Sequence, residues 1–354
     1  MDNPKISVLI PMYNRKHYIA QCVDSALNQT FQENYEIIIR DDCSTDDGFD
    51  FVAEKYAKEI SEGKIILYRN EKNLGEWGTT NALLNDAEGK YIAILHSDDL
   101  YLPHALKHLY EVAEKSNADV VHESFFLNSP KSGIIDSIED CKPFCPEYHT
   151  FEKITVMSNS SSERFKEWFE GGTFIDAQYN LFNREFVLAN NIFTDGYDHR
   201  YCALWWIMLA KVFVKTPIIC YVRRDCPDSG TNANFSAKKL EKFIFNMAKI
   251  AQDMDKHFSN IEFFKDNEYV QYTAKMHLIF VLDYWEIIRR EVFSNGITPE
   301  IYSTVKNSFK KIFGENFFYP MFLFNWAHII PRELSLESLS TERSNLDIKS
   351  DKPC

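Results

Sequence analysis

The feature that most constrains the fold is a regular alternation of short apolar runs and amphipathic segments over the first 125 residues. The runs "KISVLIPMYN", "YEIIIRDD", "KIILYRN" and "KYIAILHS" are rich in β-branched residues and predict buried strands. Between them, "KHYIAQCVDSALNQ", "FDFVAEKYAKEI" and "GTTNALLNDAE" place apolar residues at helical spacing. A helix in "LPHALKHLYEVAEKS" and a strand in "ADVVHESFFL" follow, and further on "FNREFVLANN" and "YCALWWIMLAKVFV" are predicted to be helices. This alternation predicts an α/β domain with a largely parallel sheet.

Two pairs of acidic residues follow two of the predicted strands. Asp41 and Asp42 come after the second strand, and Asp98 and Asp99 come after the fourth. Adjacent carboxylates repel each other, and burying one without compensation is costly. Because ligands of parallel sheets bind beyond the carboxyl ends of the strands, the pairs predict a site at which a positive partner is needed.

Charge and the N-terminal sequence restrict the partners and the location. A net charge of −13 argues against binding of a nucleic-acid backbone. The start "MDNPKISVLIPMYN" lacks the basic segment and long apolar run of a signal peptide. No apolar run reaches the roughly 18 residues of a membrane span. We therefore expect a cytoplasmic protein, with peripheral contact at the inner face of the membrane left open.

The hydrophobic pattern divides the chain into three segments. Residues 1–236 are predicted to form the α/β domain, residues 237–332 a helical C-terminal region, and residues 333–354 a disordered tail. In the helical region, "MHLIFVLDYWEII" is apolar nearly all round, so its helix needs cover on every side. We predict that this region packs on the α/β domain and contributes to a homodimer or to docking on a membrane surface. An ordinary internal helix is the alternative.

Four pieces occur in order within residues 4–125: "SVLIPMYNR", "SALNQTF", "YEIIIRDDCSTDDG" and "NEKNLGEWGTTNALLNDAEGKYIAILHSDDLYLPHAL". In this arrangement the segment resembles the family 2 inverting glycosyltransferases of the GT-A fold, a Rossmann-like α/β fold with a mainly parallel sheet. The resemblance implies a metal-dependent enzyme that moves a sugar from a nucleotide sugar to a hydroxyl of a glycan or glycoconjugate. The expected donor is a UDP-sugar. Surface polysaccharide, lipid-linked oligosaccharide and protein glycan are the acceptors that the family implies.

The resemblance also implies a divalent cation, Mn²⁺ or Mg²⁺, at the second acidic pair. Such a cation neutralises the donor's diphosphate as it leaves, and it takes oxygen ligands. By resemblance Asp99 is the direct metal ligand, and Asp98 faces the ribose or the water shell of the metal. His96 stands where many members have the first Asp of the motif. The alternative is that the pair only caps the following helix.

The first acidic pair is the implied binding site for the nucleobase of the donor. By resemblance Asp42, or else Asp41, accepts a hydrogen bond from the imide N–H of a uracil-type base; a simple turn residue is the alternative. Thr80 stands where many relatives have an arginine. The remaining predicted substrate-binding residues lie at the opening turn and at a helix start: Pro11, Tyr13, Arg15, Asn73 and Gly75.

Inversion requires a carboxylate that removes the proton of the acceptor hydroxyl. Relatives often supply it from a Glu-Asp pair before a Trp-containing helix, but that register reads Tyr201-Cys202 here. We predict Asp198 as the general base. The alternatives are Asp195, His199, Asp176 or an ordinary loop carboxylate.

Rival classes are a nucleotidyltransferase, a non-catalytic scaffold with the same fold, and a Rossmann dehydrogenase. A nucleotidyltransferase should carry a Gly-rich basic loop after its first strand, but "PMYNRKHY" has no glycine. A scaffold would explain the departures at His96, Thr80 and the missing Glu-Asp pair. The dehydrogenase is disfavoured because no G-x-G-x-x-G follows any predicted strand.

Overall fold

The computed structural model describes residues 3–144, 152–160, 163–164, 176–190 and 206–226. The chain divides into two compact units, Met1–Ala233 and Asn234–Cys354, and all described residues belong to the first. The helical region expected at 237–332 and the tail expected at 333–354 lie outside the described residues. The three-segment division therefore stays a prediction.

The strands of the first unit form two sheets. In chain order they are β1 (Ile6–Met12), β2 (Tyr35–Asp41), β3 (Ile65–Arg69), β4 (Tyr91–Ile94), β5 (Leu100–Tyr101), β6 (Val120–Glu123), β7 (Phe126–Asn128), β8 (Lys142–Phe144), β9 (Thr155–Val156), β10 (Asn180–Asn183), β11 (Phe213–Thr216) and β12 (Tyr221–Arg223). The α-helices are α1 (Ile19–Leu27), α2 (Gly48–Lys55), α3 (Ala57–Ser61), α4 (Gly75–Asp86), α5 (Ala105–Ser116) and α6 (Arg184–Ala189).

The larger sheet has eight strands in the order β3-β2-β1-β4-β10-β6-β11-β9. The strands β3, β2, β1 and β4 run parallel to one another, and β6 runs parallel to β11. The strand β10 is antiparallel to both of its neighbours, β4 and β6. The predicted α/β class with a mainly parallel sheet is therefore confirmed in the described part of the chain.

The central strand β1 is buried on both faces, which its nearly unbroken apolar sequence "ISVLIPM" anticipates. Val8 and Ile10 join a core cluster with residues of α1 and α5. Leu9 is equally buried, and alternation along the strand turns its side chain to the opposite face. On that face α4 packs against β1 and β2. Helices therefore cover both faces of the parallel half of the sheet.

Pro11 lies within β1, although proline cannot donate a hydrogen bond to a sheet. Its position in the pairing explains this. The pairing of β1 with β4 covers Ile6 to Leu9 only, whereas the pairing with β2 continues to Met12. Pro11 therefore stands where one side of the strand is already open. The opening between β1 and β4 is at the edge where the site lies.

The smaller sheet has four strands in the order β5-β12-β7-β8. Its strand β12 pairs antiparallel with β5 and parallel with β7. Because β5 begins at Leu100, directly after Asp99, this sheet is anchored to the second acidic pair. The segment at 221–223 is thereby brought beside residues more than a hundred positions earlier in the chain.

Four segments differ from the sequence-based expectation. The single helix expected in "FDFVAEKYAKEI" is divided at Tyr56 into α2 and α3. The single strand expected in "ADVVHESFFL" is two strands, β6 and β7, which belong to different sheets. The helix expected in "FNREFVLANN" begins only at Arg184, because the Asn183 side chain caps it by accepting a hydrogen bond from the Phe186 amide. The helix expected in "YCALWWIMLAKVFV" gives way to β11 from Phe213, in keeping with the aromatic and β-branched residues there.

Candidate active site

The carboxyl ends of β2, β1 and β4 meet at one edge of the sheet, because the three strands are parallel neighbours. Met12 pairs with Asp41, so the opening turn and the first acidic pair lie side by side. The second acidic pair follows β4 on the other side of β1. The structure thus brings together the predicted residues of the opening turn and both acidic pairs.

The opening turn after β1 is fixed to the turn after β2. Asn14 has a left-handed backbone (φ 51°), which Asn tolerates better than most residues. Its amide donates to Ser44 Oγ at 2.9 Å, and its side-chain Oδ1 accepts from the Thr45 amide at 2.8 Å. Tyr13 remains 47% exposed at this turn. An exposed aromatic ring beside a braced turn can cover a planar ligand.

Asp42 caps the start of α4. Its Oδ1 accepts the Leu74 amide at 2.7 Å, and its Oδ2 accepts the Gly75 amide at 2.9 Å. A helix N-terminus has unpaired amides and partial positive charge, so a carboxylate there is favourable. Gly75 has φ +75°, a conformation that glycine adopts without penalty. Asn73 completes the arrangement by donating to the Asp42 carbonyl at 3.1 Å.

A buried network supports the Asp42 carboxylate from behind. Asn70 donates to Asp42 Oδ1 at 2.9 Å and to Thr79 Oγ1 at 3.0 Å. Arg40 donates to Asn70 Oδ1 at 3.1 Å and forms an ion pair with Asp86. Asp42 is therefore held in one orientation by Asn70, which follows β3, and by two amides at the start of α4. Its Oδ2 accepts the Gly75 amide and has a second lone pair that none of these contacts uses.

Asp41 has a different environment. Its side chain is fully buried, and Oδ2 accepts the Ser44 amide at 3.1 Å and lies 3.2 Å from Arg69 Nε. Arg69 also donates to the Ser44 carbonyl at 2.9 Å. These contacts close the turn after β2. Of the two predicted base-binding carboxylates, Asp42 faces the start of α4, whereas Asp41 is enclosed by its own turn.

The second acidic pair has positive partners from the protein itself. Arg15 Nε lies 3.1 Å from Asp98 Oδ2. The Asp99 carboxylate accepts the Tyr221 hydroxyl at 2.8 Å on Oδ2 and the Arg224 amide at 2.7 Å on Oδ1. The Arg224 guanidinium donates to the Asp98 carbonyl at 2.6 Å. Part of the compensation that adjacent carboxylates require is thus built into the fold.

The pKa of Asp99 is raised to about 8, first by burial and then by the negative charge of Asp98. The hydrogen bonds from Arg224 and Tyr221 act in the opposite direction. Asp98 is more accessible, with 17% of its side chain exposed against 5% for Asp99. The two carboxylates of the pair are therefore unlike: one is buried and hydrogen-bonded, and the other is partly exposed and ion-paired.

His96 lies between two carboxylates. Its Nε2 is 3.4 Å from Glu76 Oε1, and its Nδ1 is 3.9 Å from Asp99 Oδ2. Glu76 is in the first turn of α4, so this contact joins the helix that Asp42 caps to the second acidic pair. Thr80, one turn further on, is buried and donates to the Glu76 carbonyl at 2.8 Å. Both departures from the family pattern therefore lie near the start of α4, at the site.

The predicted general base, Asp198, lies outside the described residues, as do Asp195 and His199. Asp176 is described: its carbonyl accepts the Asn180 side chain at 2.6 Å, just before β10. The sequence-based reasoning missed Tyr221 and Arg224. They carry no motif, and only the pairing of β12 with β5 places them at the acidic pair.

Within the described ranges, no group of three or more His, Cys, Asp or Glu side chains is arranged to hold a metal ion. In the same ranges, no helix is both long enough and apolar enough to span a membrane.

The comparisons with known proteins agree with this architecture. Residues 7–187 match the sequence profile of glycosyl transferase family 2. The glycosyltransferase GlyG of Streptococcus pneumoniae is 28% identical over 225 residues, which is 62% of this chain and 71% of that protein. For several other curated glycosyltransferases the match spans less than a quarter of their own length.

Two solved structures share the fold. TarS 1-349 from S. aureus, in complex with UDP-GlcNAc, superposes with a TM-score of 0.61 at 18% identity and covers 87% of this chain and 81% of its own. The mannosyltransferase PcManGT from Pyrobaculum calidifontis, in complex with GDP-Man and Mn²⁺, gives 0.51 at 14% identity and covers 92% of this chain and 84% of its own.

The matched profile covers more than half of the sequence and includes both acidic pairs. The chain belongs to glycosyl transferase family 2. The resemblance seen in the sequence is thereby confirmed, and the GT-A type of α/β fold is shared with TarS.

Proposed function

We propose that this chain is a glycosyltransferase that moves a sugar from a nucleotide sugar to a hydroxyl of a glycan or glycoconjugate by direct, inverting displacement. The observation that carries the proposal is the convergence of two features at one sheet edge. The Asp42-capped start of α4 and the Asp98–Asp99 turn lie on either side of β1. One feature suits the nucleoside of a donor, and the other suits its diphosphate.

The donor is proposed to be UDP-linked. The remaining lone pair of Asp42 Oδ2 can accept the imide N–H of uracil, and the exposed Tyr13 ring can cover the base. Pro11 and Arg15 lie at the opening turn and are proposed to contact the nucleotide there. Asn73 and Gly75 lie at the start of α4, where the Asn73 side chain donates to the Asp42 carbonyl and accepts the Gly75 amide. The complex of TarS with UDP-GlcNAc supports the uracil nucleotide, whereas that of PcManGT with GDP-Man makes a guanine nucleotide the comparison to test.

The carboxylates at the second pair fit a hard divalent cation, Mn²⁺ or Mg²⁺, in their chemistry. In its ionised form, each Asp99 oxygen accepts one hydrogen bond from the fold and keeps a second lone pair. Asp99 is the proposed direct ligand, with Asp98 facing the ribose or the water shell. A bound cation would supply charge stabilisation to the departing diphosphate. Arg15 would hold Asp98 in place, and Tyr221 would orient Asp99.

The remaining chemical role is removal of the acceptor's proton. Asp198 is proposed as the general base, with Asp195, His199 and Asp176 as alternatives. The acceptor is proposed to be a bacterial surface polysaccharide, a lipid-linked oligosaccharide or a protein glycan. The site is proposed to work in the cytoplasm, with the region 237–332 contributing to a homodimer or to contact with the inner face of the membrane.

The test is a panel of UDP- and GDP-linked sugars incubated with the full chain, with Mn²⁺, with Mg²⁺ and with excess chelator. We expect slow hydrolysis of one UDP-sugar that depends on the cation and is lost in Asp99→Ala, while the melting temperature in the absence of donor shows that this variant still folds. Full turnover in excess chelator would remove the proposed metal role. No turnover and no binding of any donor would favour the non-catalytic scaffold.

A further inference from the structure

Arg224 joins three separate parts of the chain at the second acidic pair. It follows β12 directly and is only 5% exposed. Its guanidinium donates to the Asp98 carbonyl, to the Gly133 carbonyl and to Gln21 Oε1, each at 2.6 Å. Its backbone amide donates to Asp99 Oδ1 at 2.7 Å. Arg224 therefore contacts both acidic residues of the pair, Asp98 through its side chain and Asp99 through its backbone.

The partners of Arg224 are themselves fixed. Gln21 is on α1, and its Nε2 donates to the Ile135 carbonyl at 3.0 Å. Gly133 has φ +70°, and a Cβ there would lie 2.9 Å from the Asp225 carbonyl oxygen. Only glycine therefore suits this close approach. The brace made of Arg224, Gln21 and Gly133 joins a helix, a loop and the acidic turn.

The chemistry of these contacts indicates a geometric role. The guanidinium donates to two backbone carbonyls and one side-chain amide, with no carboxylate side chain among these acceptors. A planar fork with fixed donor directions can satisfy three acceptors at once, whereas a lysine ammonium on a flexible stem cannot reproduce that arrangement. Tyr18 adds a ring at 5.1 Å from the guanidinium carbon. The planar shape of the guanidinium therefore matters at this position as well as its charge.

We propose that Arg224 is the positioning residue of the second acidic pair. By holding the Asp98 carbonyl and the Asp99 carboxylate at once, it sets the direction in which both side chains meet the donor's diphosphate. This inference rests on the proposed function for the identity of the donor. The contacts of Arg224 themselves are present in the chain without a donor. Arg224 acts through Asp98 and Asp99, so it is not a catalytic residue.

The first test measures amide hydrogen exchange of the unliganded full chain over residues 96–101. In Arg224→Lys we expect exchange of this segment to be roughly tenfold faster, because local opening becomes easier when the brace is lost. Arg164→Lys is the matched control. Arg164 is also buried and donates to the backbone carbonyls of Ile207, Ser158, Met208 and Ala210. It should lower the melting temperature without changing exchange at 96–101.

The second test measures UDP affinity by calorimetry in the presence of Mn²⁺. Arg224→Lys should bind UDP about tenfold more weakly, on the scale of one lost charge-assisted hydrogen bond. If Arg224→Lys does not fold, Gln21→Met serves instead, because it removes one acceptor of the brace and should give a smaller change in the same direction.

The outcomes separate this inference from the proposed function. Unchanged exchange at 96–101 in both brace variants overturns the inference, whatever the chain binds. Faster exchange with unchanged UDP affinity also overturns it, because the turn would then be braced without serving the donor. A wild-type chain that binds no UDP contradicts the proposed donor, and faster exchange in Arg224→Lys would still support Arg224 as the brace.

Discussion

Asp42 and Asp99 reach the same edge of the sheet, but their negative charges are compensated in different ways. Asp42 meets two backbone amides at the start of a helix, where partial positive charge favours a carboxylate. Asp99 is buried beside a second acid, and its pKa is raised to about 8. The sequence showed that positive partners were needed at both pairs. It did not show that Arg15 and Arg224 supply part of them, or that the neutral Tyr221 hydroxyl donates a hydrogen bond to Asp99.

Asp42→Asn tests the base-binding role. The amide keeps the shape of the side chain but loses the charge and one acceptor. We expect UDP affinity to fall by about ten- to a hundredfold, since a charge-assisted hydrogen bond contributes about 1.5–3 kcal/mol. Calorimetry with UDP and GDP provides an internal control. Loss of the helix cap alone would weaken both nucleotides equally, whereas loss of the base contact changes their ratio. An unchanged ratio would leave Asp42 as a structural cap.

Asp198→Asn tests the proposed general base. A general base contributes about 10²–10⁴-fold to the rate, so transfer to the acceptor should fall by that order. UDP affinity should stay nearly intact, because the residue is not proposed to touch the nucleotide. Asp195→Asn and Asp176→Asn form the control series. If Asp198→Asn transfers normally and one of the other two fails, the role moves to that residue. If all three transfer normally, His199 becomes the candidate.

At the scale of elements, the sequence predicts local structure well where a segment packs against segments that are close to it in the sequence. The strands β1 to β4 and the helices α1, α2 and α4 lie where the apolar pattern predicts them, because each buries apolar residues of its own. The small sheet was not predictable, because β12 and β5 are short and pair across more than a hundred residues. The missed residues of the site are on that sheet or next to it. Strand pairing, not periodicity, decides their position.

The contact between β1 and the turn before β4 gives an element-scale prediction. A Cβ on Gly89 would lie 2.4 Å from the Ser7 amide nitrogen, which is backbone and cannot rotate away. The Gly89 amide also donates to Ser7 Oγ at 2.8 Å. We expect Gly89→Ala to reduce the free energy of unfolding by about 3 kcal/mol, the upper part of the usual range for overpacking.

Urea unfolding of the full chain measures this effect, and Gly63→Ala is the control. Gly63 has φ +74° and open space within 4 Å of the point that a Cβ would occupy, so its substitution should cost only about 1 kcal/mol of backbone strain. Equal losses in the two variants would contradict the proposed close packing of β1 against the turn before β4.

At the scale of the whole molecule, acidic residues outnumber basic ones, 52 to 39, and several of them are buried at junctions. Glu123 ends β6 in the larger sheet, and its Oε1 accepts the amides of Cys220 at 2.7 Å and Tyr221 at 2.9 Å. Tyr221 begins β12 of the smaller sheet. One buried carboxyl therefore connects the two sheets. Its protonation state depends on folding, because folding buries it.

Burial raises the pKa of Glu123 to about 8, against the opposing effect of the two amides. A carboxyl with a raised folded pKa stabilises the protein fully below its unfolded pKa, and this contribution is lost as pH rises through the folded pKa. Between about pH 4.5 and 8 the folded state holds a proton that the unfolded state has released. Stability should therefore fall with rising pH by up to about 1.4 kcal/mol per pH unit from this group.

Glu123→Gln removes the titration but keeps an oxygen that accepts both amides. Urea unfolding of both proteins at pH 5.5, 6.5 and 7.5 measures the two slopes. We expect the wild-type slope to be steeper than that of Glu123→Gln, with Asp99, whose pKa is also raised to about 8, contributing equally to both. The free energy of unfolding of Glu123→Gln should increase relative to that of the wild type as pH rises, because folded wild-type protein must either keep the Glu123 proton or bury a charge. Parallel slopes would show that Glu123 is ionised in the folded protein at neutral pH, and that the two amides outweigh its burial.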